Sequence, residues 1–100
     1  MSGEPSGKSA RDRADDGRAA ALERIEDVHN SKGGPAEVAP AEQEAIDDFA
    51  DVLADALLDG LRGSDTAAYI GPVADSAKYY NKTDIQTRFQ DAVEERENVG

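Results

Sequence analysis

One apolar stripe constrains the fold of this chain more than any other feature. In the segment 40–62, large apolar side chains recur at steps of three and four residues, which is the period of one face of an α-helix. The stripe consists of Ile46, Phe49, Leu53, Leu57 and Leu61. A helix with one apolar face must bury that face against other helices or another molecule. The stripe therefore predicts a helical fold built around the segment 40–62.

Glycine and proline residues divide the rest of the chain into segments. Two glycines and two prolines precede the stripe, and they predict a linker over 31–39 with Pro40 at the first position of the next helix. After the stripe, the pair Gly71-Pro72 predicts a break inside a helical segment spanning 65–80. Each boundary follows from backbone conformations that glycine favours and proline prevents.

Capping residues locate two further helix starts. Ser9 is followed three residues later by an aspartate, which predicts the beginning of a helix over 9–30. Thr83 with Gln86 has the spacing of a capping box and predicts a last helix over 84–97.

These segments together predict an all-α fold, a small bundle of three to four short helices. No segment alternates apolar and polar residues for long enough to indicate a strand. Residues 1–8 are glycine, serine, proline and charged residues with little to bury, and they predict a disordered N-terminal tail. Residues 9–100 are then a single small helical domain.

The chain is strongly acidic. It has 22 Asp and Glu residues against 11 Lys and Arg residues, a formal net charge of -11 and a pI of about 4.3. Binding to a nucleic-acid backbone draws its affinity from basic residues that neutralise phosphates, so we expect no direct nucleic-acid binding. Many short carboxylates also keep a protein hydrated in concentrated salt, which makes a halophilic origin one interpretation of this composition.

Five aspartates accompany the apolar stripe, and we call them the acidic ladder. They are Asp47, Asp48, Asp51, Asp55 and Asp59. Like charges four residues apart repel each other on a helix, so a reason for the ladder is needed. One interpretation is a solvated border of the apolar stripe. The alternative is an acidic surface for a basic partner, including an inhibitor that mimics the charge of nucleic acid.

Catalytic and metal-binding chemistry has few candidate residues in this chain. There is no cysteine, and His29 is the only histidine. Its place at the end of the first predicted helix favours a hydrogen bond to the last helix carbonyls. A small core also leaves little cavity in which one carboxylate could be kept protonated beside an ionised neighbour. We therefore expect a non-enzymatic protein without a metal or other cofactor.

The remaining function class is protein–protein interaction. The apolar stripe and two adjacent tyrosines are the candidate interface, because tyrosine can bury its ring and keep its hydroxyl wet. The interface residues are Phe49, Leu53, Leu57, Leu61, Tyr79 and Tyr80. They predict a structural or adaptor subunit that packs into a larger assembly, which includes viral particles, through a protein partner or a second copy.

A short motif offers another alternative. The run Ala77 to Asp84 resembles the Tyr-x-x-x-Asp/Glu signal near the C-terminus of small helical-hairpin substrates of type VII secretion, and this resemblance implies a secreted hairpin. The chain departs from that family because it has no Trp-x-Gly turn. With no run of eighteen apolar residues and no apolar N-terminal stretch, we otherwise expect no membrane contact and a cytoplasmic or particle-bound location.

Overall fold

The computed structural model describes residues 9–31 and 33–99. Within these residues the chain forms four α-helices and no strand, so the all-α prediction is confirmed. The elements are α1 (Ala10–Asn30), α2 (Pro35–Leu58), a 3₁₀ turn (Gly63–Asp65), α3 (Thr66–Ser76) and α4 (Lys82–Val99). The tail predicted for residues 1–8 lies outside the described residues.

The first helix begins and ends with serine caps. The Ser9 side chain accepts a hydrogen bond from the Asp12 N–H at 3.2 Å, and the Ser9 N–H donates to the Asp12 carboxylate, which confirms the predicted cap. At the other end, the Ser31 N–H donates to the carbonyl of Asp27. Helix α1 therefore has the predicted extent.

The second helix begins at Pro35, five residues before the predicted start at Pro40. Gly34 is extended and Pro35 takes the first helical position, where a missing N–H costs nothing. Pro40 lies inside the helix. The added turn buries Val38, which continues the apolar stripe toward the N-terminus. The predicted linker over 31–39 is thus shortened, and its second half is helical.

The second helix ends at Leu58 rather than at position 62. Gly60 has φ of 123°, a left-handed conformation that glycine adopts without strain. The Leu61 N–H then donates to the Ala56 carbonyl at 2.9 Å, and the Gly60 N–H donates to the Leu57 carbonyl. This pair of bonds is a Schellman motif, and it turns the side chain of Leu61 back into the core.

The third helix continues through Gly71-Pro72, where a break was predicted, and it ends at Ser76 rather than near position 80. Proline has no N–H for the carbonyl four residues earlier, which here belongs to Ala68. Arg18 of α1 donates a hydrogen bond from Nη1 to that carbonyl at 3.3 Å. A side chain from another helix therefore replaces the missing backbone donor.

The fourth helix is capped by Asn81 and Asp84, not by Thr83 with Gln86. The Asp84 N–H donates to Asn81 Oδ1 at 2.9 Å, and the Asn81 N–H donates to the Asp84 carboxylate at 3.1 Å. This reciprocal pair starts α4 two residues earlier than predicted.

The core is small and rich in alanine, and α2 supplies more of it than any other helix. The largest fully buried apolar side chains of the core are Phe49, Ile25, Ile46, Leu53, Ile70, Ile85 and Val73. Gly17 of α1 faces α2, where a Cβ atom would come within 2.7 Å of Val52 Cγ1. The glycine therefore allows the two helices to approach closely at this point.

Candidate functional site

Helix α1 supplies arginines to one side of the acidic ladder. Arg24 Nη1 lies 2.5 Å from Asp48 Oδ2, and Arg13 forms an ion pair with Asp59. The two arginines are eleven residues apart, and so are the two aspartates. Because residue numbers rise along α1 as they fall along α2, these pairs fit helices that run antiparallel.

Helix α4 supplies arginines to the other side of the ladder. Arg88 Nη1 lies 3.0 Å from Asp47 Oδ1, and Arg96 Nε lies 2.5 Å from Asp55 Oδ1. Each pair joins residues 41 positions apart, which fits α4 running parallel to α2. Arg96 also reaches Asp51 at 3.5 Å, and its hydrogen bond to Asp55 raises the pKa of its guanidinium above the ordinary value.

Every aspartate of the acidic ladder therefore has an arginine partner within the chain. The aspartate side chains remain 47% to 62% exposed, so solvent screens each ion pair and its net contribution is about 0–1 kcal/mol. These pairs offset the repulsion between neighbouring aspartates. The ladder borders the apolar stripe, and four arginines of α1 and α4 offset most of the charge of its five aspartates.

Most of the predicted apolar interface lies inside the chain's own core. Phe49, Leu53 and Leu61 are buried there, and Leu57 is half-buried against them. On the same helix, the adjacent Leu58 is 48% exposed. The predicted interface is therefore narrowed to the side chains that remain accessible at the surface.

The two tyrosines of the predicted interface have different environments. Tyr80 is half-buried, its hydroxyl donates to Gln43 Oε1 at 3.0 Å, and the centroid of its ring lies 5.2 Å from the guanidinium carbon of Arg88. Tyr79 is 43% exposed. Of this pair, Tyr79 is the side chain that offers an aromatic ring to a partner.

The loop that carries Tyr79 is held by a buried carboxylate. Glu42 of α2 is 0% exposed, and its Oε1 atom accepts hydrogen bonds from the backbone N–H groups of Lys78 and Tyr79, at 3.0 and 2.9 Å. We call residues 77–81 the pinned loop, because this carboxylate fixes its backbone. The Tyr79 side chain remains exposed while its own N–H is bound inside the protein.

The second oxygen of Glu42 is bound by the sole histidine. His29 Nε2 lies 2.6 Å from Glu42 Oε2, and the imidazole is 16% exposed. An ionised carboxylate oxygen can only accept a hydrogen bond, so against ionised Glu42 the donor is His29 Nε2–H. His29 thus donates to a carboxylate of α2 and not to the last carbonyls of α1, which corrects the role predicted for it.

The sequence contained a signal for this buried carboxylate. Glu42 lies four residues before Ile46 and four after Val38, so it occupies the apolar stripe itself. A carboxylate at a core position needs hydrogen-bond donors, because leaving it unpaired in the interior is costly. The loop that supplies two of these donors lies 36 and 37 residues away, which the pattern of α2 alone does not reveal.

The surface beside the pinned loop is a shallow open depression of about 430 Å³, lined by Asp75, Lys78, Tyr79, Lys82 and their neighbours. Glu42 is sealed beneath the loop and cannot reach a substrate in this depression. Among residues 9–31 and 33–99, no three acidic, histidine or cysteine side chains are grouped so that they could hold a metal ion. The described helices also include none with the length and apolar character needed to cross a membrane.

Comparison with known proteins gives no relative: no family model, no curated protein and no solved structure matches the chain.

Proposed function

We propose that this chain is a non-enzymatic adaptor or structural subunit that binds a protein partner through the pinned loop, with Tyr79 as the anchor. One observation carries the proposal. The Tyr79 ring is exposed, while the backbone beneath it is fixed by a hydrogen bond to a fully buried carboxylate. Such an assembly would act in the cytoplasm or within a viral or other macromolecular particle.

A pinned tyrosine is well suited to binding because little freedom remains to be lost. Tyrosine contributes a large ring with two rotatable bonds, and a fixed backbone removes the entropy cost of ordering a loop. Tyrosines are also enriched among the residues that dominate interface energies. Tyr79 is therefore a better interface candidate than Leu58. Leu58 is the last residue of α2, and a turn follows it directly.

The charge distribution supports a partner other than a second copy. Two chains that each carry a net charge of -11 repel each other. Residues 77–82 carry two lysines and no carboxylate, unlike the acidic remainder of the chain. A partner that offers an apolar pocket with carboxylates at its rim would match Tyr79, Lys78 and Lys82.

The alternative of a nucleic-acid mimic has less support from the contacts. A mimic needs carboxylates that are free to meet a basic partner, and the acidic ladder meets arginines of this chain instead. The non-enzymatic part of the proposal is supported by the hydrogen bonds of Glu42 and His29, which serve the fold and leave neither group facing an open cavity.

Photo-crosslinking tests the proposed surface directly. A benzoylphenylalanine residue replaces Tyr79 in cells that naturally make the protein, and a matched control places it at Leu58, which has similar exposure. We expect a discrete adduct with one protein from position 79 and none from position 58. Equal adducts from both positions, or none from position 79, would contradict the proposal. An adduct with a second copy would support a homo-oligomer and exclude a different partner.

Binding of the purified partner completes the test. Tyr79→Ala should weaken affinity about tenfold or more, as expected for an aromatic anchor. Tyr79→Phe should retain most of the affinity because it keeps the ring. Leu58→Ala, the control, should leave affinity within about twofold. Unchanged affinity in Tyr79→Ala would show that the captured protein binds elsewhere.

A further inference from the structure

The pinned loop has few backbone partners of its own. Helix α3 ends at Ser76 and α4 begins at Lys82, so the amides between them lie outside both helices. The Ala77 N–H still donates to the carbonyl of Val73, and the Asn81 N–H donates to the Asp84 carboxylate. Of the three amides between these ends, those of Lys78 and Tyr79 both donate to Glu42.

Glu42 joins three parts of the chain that are distant in sequence. It lies on α2, it accepts from the loop 36 and 37 residues later, and it accepts from His29 on α1, 13 residues earlier. Near it, Tyr80 donates to Gln43, and Arg88 of α4 is engaged with Asp47 and the Tyr80 ring. Among the described residues, only His29 contacts the Glu42 carboxylate with a titratable side chain.

The geometry points to Glu42 as the positioning residue for Tyr79, with His29 orienting the carboxylate. The inference rests on the proposed function, because it explains how the binding surface is kept in one form. Oε1 binds two consecutive amides, and this fixes the peptide planes on either side of Lys78 and hence the position of the backbone from which the Tyr79 side chain leaves. Oε2 is held by imidazole Nε2, so the carboxylate cannot rotate away from the loop without losing that donor.

Two substitutions at position 42 separate hydrogen bonding from space filling. Glu42→Gln keeps a side-chain oxygen that can accept from both loop amides. Glu42→Met fills a similar volume but has no such acceptor. Glu42→Met leaves the donors to Glu42 without an acceptor, so it should lower the stability of the bundle, but it opens no cavity and should therefore cost less than Glu42→Ala and leave the bundle folded.

Amide hydrogen exchange of the full chain, measured by NMR, gives the readout. In the unsubstituted protein, the Lys78 and Tyr79 amides should be protected although they lie outside the helices. Glu42→Met should speed their exchange about tenfold or more, and by a larger factor than it speeds exchange of core amides such as that of Leu53. Glu42→Gln should stay within about threefold of the original rates, which is rescue by the conservative variant.

Several outcomes would overturn the inference. Rapid exchange of the Lys78 and Tyr79 amides in the unsubstituted protein would overturn it. This result needs no variant, so it decides the inference even if Glu42→Met does not fold. The inference would also be overturned if both variants sped the exchange of these two amides equally, or if Glu42→Met did not speed it. Faster exchange at Leu53 by the same factor would assign Glu42 a role in global stability only.

The affinity of the Glu42 variants for the partner separates this inference from the proposed function. With the partner captured at position 79, Glu42→Met should weaken binding about tenfold and Glu42→Gln little. Unchanged binding in a Glu42→Met variant whose loop is loosened would overturn the positioning role. If position 79 captures no partner, the proposed function fails, whereas the exchange data still decide whether Glu42 fixes the loop.

Discussion

Helix α2 carries two kinds of carboxylate, and their environments are opposite. The aspartates of the acidic ladder lie along its edges, about half exposed, each beside an arginine of α1 or α4. Glu42 lies on the buried face of the same helix, is 0% exposed, and is bound by two backbone amides and an imidazole.

The contrast shows that position on a helix decides what a carboxylate contributes. An exposed ion pair gains little because water already solvates both charges. A buried carboxylate has left water, so its hydrogen bonds must replace the lost hydration, and removing it leaves the donors unsatisfied as well. One glutamate of α2 should therefore matter more to this fold than the whole ladder.

The largest expected effect is that of Glu42→Ala. It opens a cavity and leaves two loop amides and His29 without their acceptor, so the free energy of unfolding should fall by about 3 kcal/mol. Urea unfolding followed by circular dichroism measures it. Glu44→Ala is the matched control, since the Glu44 side chain, two residues further along α2, is 76% exposed and has only a 3.9 Å ion pair with Arg24, so its loss should cost less than about 0.5 kcal/mol. Equal costs would remove the contrast between the two kinds of carboxylate.

The next effect concerns the donor to Glu42. His29→Phe fills the space of the imidazole but leaves Glu42 Oε2 buried without its donor, and the free energy of unfolding should fall by about 1–3 kcal/mol. His29→Gln, which has a side-chain N–H, should recover part of the loss. Thermal unfolding of the three proteins decides the point, and a phenylalanine variant as stable as the original would mean that the contact contributes nothing.

The fold was predictable wherever local patterns determine it. The spacing of Ile46, Phe49 and Leu53 indicates the core face of α2, and burial of all three follows from that face. The pair Gly71-Pro72 misled the prediction because its outcome depends on another helix. Only the three-dimensional contact between Arg18 and the Ala68 carbonyl explains why α3 continues through the proline.

The candidate site was predictable in part. Tyr79 was a candidate because tyrosine can bury its ring and keep its hydroxyl wet, whereas Glu42 was hidden among other acidic residues although it lies on the apolar stripe. The arginine partners of the ladder had a subtler signal. Arg13 and Arg24 match the spacing of Asp59 and Asp48, but such a match becomes meaningful only when the direction of the two helices is known.

A smaller effect is expected at the edge of the ladder. Arg96 forms ion pairs with both Asp51 and Asp55, so Arg96→Gln should lower the free energy of unfolding by about 1 kcal/mol or less at low salt. In roughly 1 M NaCl, where the screening length is about 3 Å, the difference should shrink. The control is Arg62→Gln, because the exposed Arg62 side chain has no ion pair within the described residues. A salt-independent loss would indicate that Arg96 acts by packing.

The smallest effect should come from the ladder itself. Replacing Asp51 and Asp55 together by asparagine removes two ion pairs with Arg96, but it also removes the repulsion between two carboxylates one turn apart. These changes oppose each other, so stability should stay within about 0.5 kcal/mol in urea unfolding. Affinity for the partner captured at position 79 should stay within about twofold, because the ladder lies outside the pinned loop. A steep loss of affinity, strongest at low salt, is the result that a nucleic-acid mimic predicts, and it would make the aspartates the binding surface in place of Tyr79.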